Sequence, residues 1–155
     1  MFEFLKDIKE LEDVESVEKI NKGYSKDKKF KIKLKNKDEY LLLRLSDISL
    51  YEQKKEEYEV ISKFSKLGFE MSKPISFGIC NDEKNVYILL SWIDGVDLSD
   101  ALPKLSKEEQ YLLGRKAGKI LKAIHSLKVE DKNFEDKLKI KLLDKIEKYE
   151  SSNVR

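Results

Sequence analysis

The chain has 155 residues, and 32 Lys+Arg against 30 Asp+Glu leave a net charge of +2. That balance excludes the basic excess a dedicated nucleic-acid binder carries, and the length fits one domain or one lobe of something larger. A lone cysteine, Cys80, excludes an internal disulfide framework and a cysteine-based zinc site, and a lone histidine, His125, excludes a multi-histidine metal site.

A 40% apolar share that includes 7 Phe and 7 Tyr can build a core, while 40% charged residues keep the surface wet. No run approaches the ~18 apolar residues of a membrane span. Charges enter Met1–Glu10 too early for a signal peptide. The expectation is a soluble cytoplasmic domain with neither a membrane nor a nucleic acid as partner.

In chain order, Phe2, Leu5, Ile8 and Leu11 recur at threes and predict a short helical lead-in. Val14–Lys22 alternates and predicts a strand, broken by a turn at Gly23-Tyr24-Ser25-Lys26-Asp27. In the next strand Phe30, Ile32 and Leu34 take one face, and Lys29, Lys31, Lys33 and Lys35 the solvated other. Asn36-Lys37-Asp38 is turn chemistry, and the apolar strand Tyr40–Leu45 completes a hairpin. Tyr51, Tyr58, Ile61 and Phe64 fall near one face of a helix rich in Glu and Lys, which Gly68 is expected to close.

Pro74–Cys80 and Val86–Trp92 read as two further strands joined by the polar residues 81–85. Asp94-Gly95 and Pro103 then punctuate, and helical pattern follows. Ser106 with Glu109 three residues on forms a capping-box signature. The helix it opens carries Leu113, Ala117, Ile120, Leu121 and Ile124 on a face expected to be buried. A last amphipathic stretch sets Leu138, Leu142, Ile146 and Tyr149 at helical spacing, and Ser151–Arg155 reads as a frayed tail. Five strands with one inserted helix, then helices only, make an α+β arrangement with a lobe boundary near Trp92–Leu98.

Few residues invite chemistry. Gly23 could let backbone N–H groups approach a phosphate, with Ser25 and Lys26 adding a hydroxyl and a charge; taken alone, a plain hairpin turn is the better reading. Arg44 stands among Leu41, Leu42, Leu43 and Leu45, so it needs a partner or ligand, or an edge position from which its head reaches water. The following helix offers Glu56, Glu57 and Glu59. Asp94, Asp97 and Asp100 lack the spacing of a calcium loop, and helix capping by Asp97 accounts for them more simply. His125 has no acid or nucleophile spaced for a triad and reads as structural.

Together these segments resemble the aminoglycoside phosphotransferases, a family with a protein-kinase-like fold. The resemblance rests on Gly23-Tyr24-Ser25, Leu41-Leu42-Leu43-Arg44-Leu45, Glu57-Tyr58-Glu59-Val60-Ile61 and Met71-Ser72-Lys73-Pro74-Ile75. It continues through Leu89-Leu90-Ser91-Trp92-Ile93-Asp94-Gly95 and Ala123-Ile124-His125-Ser126-Leu127. It implies a nucleotide-binding N-lobe over residues 1–91, a hinge over 92–98 and the helical start of an incomplete C-terminal lobe over 99–155. Gly23, Tyr24 and Ser25 would form the phosphate loop, Leu42 would pack on the base, and the backbone of Ser91 and Ile93 would hydrogen-bond it. Arg44, steadied by Glu57, would meet the phosphates of ATP or GTP, in a strand where the family usually has lysine.

Phosphoryl transfer of this kind also needs an aspartate base and Asn and Asp ligands for Mg²⁺. The family carries them in a His-Gly-Asp-x-x-x-x-Asn segment and a later Asp. Neither occurs in the 155 residues, and Asp131-Lys132-Asn133 has the wrong spacing. The resemblance therefore implies the N-terminal part of a small-molecule phosphotransferase acting on a hydroxyl substrate, without catalytic or metal residues of its own. The alternative is a non-catalytic interaction module built on half a kinase fold. Because only the Phe134–Tyr149 stretch could cover the apolar face of the 106–126 helix, self-association through that helix is expected.

Overall fold

A computed structural model describes residues 5–23, 25–35, 37–128 and 134–152. Phe2, Tyr24, Asn36, residues 131–133 and the last three residues of the tail lie outside the described residues. The chain divides into two units, Met1–Ile124 and His125–Arg155.

The first unit is built on an antiparallel sheet of β1 (Val14–Ile20), β2 (Lys28–Leu34), β3 (Tyr40–Asp47), β4 (Pro74–Cys80) and β5 (Asn85–Ser91), in the order β1-β2-β3-β5-β4. The helix α1 (Tyr51–Phe64) is inserted between β3 and β4, and α2 (Leu98–Ala101) and α3 (Lys107–His125) follow the sheet. This is the expected α+β arrangement, a kinase-like N-lobe followed by helices. The second unit contains α4 (Phe134–Glu150), where Lys148 pairs with Asp144 one turn back at 2.7 Å. Among the described residues no helix is long and apolar enough to cross a membrane.

Strand alternation fixes the two faces of the sheet. Phe30, Ile32, Leu34, Leu41, Leu43 and Leu45 point to one side and are buried there with Tyr87, Leu89 and Cys80. Leu5, Ile8 and Leu11 close this core from outside; among the described residues the lead-in includes a 3-10 turn at Lys9–Leu11. On the opposite face α1 packs against β4 and β5, with the Tyr51 and Tyr58 rings 5.3 and 5.5 Å from Phe77. Both faces of β5 are therefore covered, and Val86–Leu90 is continuously buried.

Four expectations change. In β1 a register shift between Val14 and Ser16 interrupts the alternation, so Val14 and Val17, three apart, both pack on the core. The helix α1 ends at Phe64, where the Ser65 N–H donates to the Ile61 carbonyl; Gly68, at φ +78°, lies in the turn beyond.

The lysine face of β2 is not simply solvated. The Lys29 ammonium donates to the Lys22 carbonyl at 2.8 Å, Lys31 sits 4.0 Å above the Tyr40 ring, and Lys33 pairs with Glu15 at 3.3 Å. A strand with neighbours on both sides sets the Lys31 and Lys33 ammonium groups beside cross-strand partners, while Lys29 reaches the loop after β1. Finally, α3 begins with the expected capping box: Ser106 N–H donates to Glu109 Oε2 at 2.7 Å, and Glu109 N–H to Ser106 Oγ at 3.2 Å. Its apolar face is not buried, however. Leu121 is 53% exposed, Leu113 37%, Ala117 is exposed, and Ile120 and Ile124 are only half-buried. Helical spacing identifies the apolar side of a helix but not what lies against it.

Gly78 in β4 packs closely against the core. A Cβ there would lie 2.9 Å from Cε1 of the buried Tyr87 ring and 3.1 Å from its hydroxyl. Gly78→Ala is expected to destabilise the fold by roughly 1–3 kcal/mol, the usual cost of overpacking. Urea unfolding checks it: the midpoint should fall, and an unchanged midpoint would mean that the ring moves aside freely.

Candidate functional site

The alternation that buries Leu41, Leu43 and Leu45 turns Leu42, Arg44 and Ser46 to the side covered by α1. Three elements meet there. Strand β3 brings Arg44 and Ser46, α1 brings Lys54 and Glu57, and the loop after Gly23 brings Asp27 just before β2 begins. Pairing of Lys29 with Arg44 and Lys28 with Leu45 continues to Asp27 beside Ser46.

The four charged side chains form a closed ring in which the signs alternate. Asp27 Oδ2 accepts from Arg44 Nε at 2.9 Å and also from Nη2. Arg44 Nη1 meets Glu57 Oε1 at 2.6 Å. Glu57 Oε2 accepts from Lys54 Nζ at 2.9 Å, and Lys54 Nζ reaches Asp27 Oδ1 at 2.8 Å. Ser46 Oγ donates to Asp27 Oδ1 at 2.8 Å. Side-chain exposure is 4% for Asp27, 9% for Lys54, 15% for Arg44 and 32% for Glu57.

Two cations and two carboxylates make the ring neutral, which is how such groups tolerate partial burial. Burial alone would raise the Asp27 pKa. The hydrogen bonds from Lys54, Ser46 and Arg44 outweigh it and hold the carboxyl well below its ordinary value of 3.8. Burial likewise disfavours the Arg44 cation, and Asp27 and Glu57 more than compensate. Cys80 does not join this chemistry: burial pushes its thiol up to about 11.

The remaining predicted residues lie outside this ring. Gly23 has φ +97°, a left-handed conformation that favours glycine, and a Cβ there would meet Lys29 Nζ at 2.6 Å. Ser25 Oγ accepts from the Asp27 N–H at 3.1 Å, a local turn that delivers Asp27 to the ring. Tyr24 lies outside the described residues. Leu42 is half-buried on the same face as Arg44. The Ser91 N–H donates to the Lys73 carbonyl at 2.9 Å and Ser91 Oγ accepts from the Lys73 N–H at 2.8 Å, so both are committed within the sheet. Ile93 follows β5, about half exposed.

Near the loop, Lys22 pairs with Asp97, and a cavity of about 480 Å³ is lined by Lys22, Gly23, Asp97, Leu98 and Ser99. The Asp97 side chain makes no cap to α2, contrary to expectation. The Lys22 ammonium is a stronger partner for a carboxylate than a backbone amide, and only the Asp97 carbonyl serves the helix, accepting from Asp100 and Ala101.

Sequence reasoning brought Arg44 and Glu57 forward and missed Asp27, Lys54 and Ser46. A signal existed for Lys54, which falls in the stripe Tyr51, Lys54, Tyr58, Ile61 where an apolar residue belongs. Asp27 and Ser46 are signalled only by the β2–β3 register, which a sequence does not print.

Residues 16–153 match the family model described as "Phosphotransferase enzyme family", APH. No curated protein and no solved structure matches the chain.

The lowered pKa of Asp27 ties the ring to acid stability. Unfolding returns the carboxyl to its ordinary value, so the unfolded chain binds the proton first and stability rises with pH. The contribution is complete above about pH 5 and is lost as pH falls below 3.8 toward the lowered value. Urea unfolding from pH 6 down to about 2 should show a steep acid limb for the wild type and a shallower one for Asp27→Asn. Equal slopes would remove Asp27 as its source.

Proposed function

Given that the chain belongs to the phosphotransferase enzyme family, we propose that its first unit positions ATP or GTP for transfer of the γ-phosphoryl group to a hydroxyl of a small molecule. The observation that supports this reading is the convergence of Arg44 and Lys54 on the loop that follows Gly23, on the helix-covered face of β3. Arg44 and Lys54 would attract the phosphates, Glu57 would orient both cations, and Gly23 and Ser25 would bring backbone groups close. The base would lie on Leu42 and meet the Ser91 carbonyl and the Ile93 backbone, since the Ser91 N–H is already bonded.

Residues 1–91 would then act as the nucleotide lobe, 92–98 as the hinge and 99–155 as the start of a helical lobe. Mg²⁺ would supply neutralisation of phosphate charge. Among the described residues no group of three or more His, Cys, Asp or Glu is disposed to hold a metal, so its ligands would come from elsewhere. The sequence also lacks a His-Gly-Asp-x-x-x-x-Asn segment. The 155-residue chain alone is accordingly expected to bind nucleotide without turnover; steady phosphorylation of an aminoglycoside, choline or homoserine would contradict this.

Calorimetric titration of ATP and GTP tests the binding half of the reading. Arg44→Met should weaken the nucleotide that binds by about 1.5–3 kcal/mol, the range for charge-assisted hydrogen bonds. An unchanged dissociation constant in a folded variant would remove Arg44 from the site.

A second reading, an interaction module, draws on a separate observation: Tyr111, Leu112, Leu113 and Leu121 of α3 are exposed. A leucine gains roughly 1.5–3 kcal/mol when buried from full exposure, and covering these partly exposed side chains gains a share of that each, which favours association of two copies through α3. Light scattering coupled to size-exclusion chromatography should give a mass that rises with concentration; a constant monomer mass would refute it.

A further inference from the structure

The Asp27 carboxylate is held by four donors from three side chains: Arg44 Nε and Nη2, Lys54 Nζ and Ser46 Oγ. Two fixed cations and a hydroxyl converging on one oxyanion form the donor set that suits a phosphate group. Glu57 differs. It takes one bond from each cation, lies on the helix, and at 32% is the most exposed member of the ring.

We infer that the space between Arg44, Lys54 and Ser46 is an oxyanion seat for a phosphate group, and that Asp27 fills it as an internal competitor. The inference rests on the reading of this corner as phosphate-positioning. It adds a regulation of that site, because the loop proposed to cradle phosphate presents its own anion to the cations.

Two consequences follow from charge. With Asp27 in place the ring sums to zero, so it offers an incoming anion little long-range attraction. With Asp27 withdrawn, Arg44, Lys54 and Glu57 sum to +1, and the Nε–Nη2 edge of Arg44 is free for a bidentate contact. Binding and loop position are then linked. A phosphate in the seat displaces Asp27, and the apparent phosphate affinity is scaled down to the fraction of molecules in which Asp27 is withdrawn. Ser25 is the companion of this movement, since its hydroxyl holds the Asp27 N–H in the seated form.

The test uses the full chain and three probes: inorganic phosphate, pyrophosphate and ATP, each against sodium chloride at equal ionic strength. Thermal unfolding is followed for the wild type, Asp27→Ala and Asp27→Asn. Phosphate should raise the midpoint of Asp27→Ala saturably, beyond the chloride control, and should move the wild type far less. Pyrophosphate should bind Asp27→Asn about tenfold more tightly than wild type, the scale of one charge-assisted contact released.

If Asp27→Ala gains no more from phosphate than from chloride, the seat is not an anion site and the inference is overturned. Should Asp27→Ala fail to fold in every buffer, Asp27→Asn carries the same comparison, and its indifference to phosphate overturns the inference equally. ATP bound by wild type but weakened in Asp27→Asn would also overturn it, while leaving the nucleotide reading intact. Variants that gain phosphate and pyrophosphate binding but ignore ATP would support the seat and remove the nucleotide reading.

Discussion

Four charges closed into one ring tie together three pieces of chain that are far apart in sequence. Asp27 belongs to the loop before β2, Arg44 to the middle of β3, and Lys54 and Glu57 to successive turns of α1. Each group satisfies two others, so none can be withdrawn without leaving a partly buried charge short of a partner. Such arrangements add little net stability over a well-packed apolar corner, but breaking one member is costly. The consequence is positional. The first half of the helix is held on the sheet by the ring, through Lys54 and Glu57, and by Tyr51 and Tyr58 on Phe77. Two unlike anchors, one ionic and one aromatic, fix its height and its rotation.

That division also explains which parts of the molecule could be read in the sequence. Strand β2 was legible because it alternates strictly, and β3 because an apolar run follows turn chemistry, both over a core that holds Phe30, Ile32, Leu41 and Leu43. The capping box of α3 was legible because it is a local exchange between residues three apart. Strand β1 was legible in position but not in phase, since one bulge between Val14 and Ser16 reverses the alternation and leaves no mark in residue type.

The site was half legible for the same reason. Arg44 announced itself as a cation in an apolar strand, and a glutamate one helix later was an available partner. Asp27 looked like turn chemistry because its role depends on the pairing of β2 with β3. Lys54 looked like solvated helix surface because lysine is common there, although its place in the Tyr51–Tyr58 stripe argued otherwise. The lysines of β2 misled in the opposite direction. Their alternation does give the non-core face, but a face flanked by two other strands is only partly wet. The Lys31 ammonium accordingly rests over Tyr40 and 4.7 Å from the centre of the Trp92 ring.

The resemblance leads one to expect lysine at position 44, and the ring gives the arginine found there a physical reason. A guanidinium is a planar fork with donors on two edges; here Nε and Nη2 serve Asp27 while Nη1 serves Glu57. An ammonium at the same place would concentrate all its donors on one nitrogen, which would have to sit between both carboxylates. That position is already taken by Lys54, whose single Nζ bridges Asp27 and Glu57 at 2.8 and 2.9 Å from the helix side. Two ammonium groups crowded between the same carboxylates would repel each other more than a delocalised guanidinium and an ammonium do. The fork at position 44 and the lysine at position 54 are therefore complementary. Each takes the geometry the other cannot, and the pair of carboxylates makes room for both.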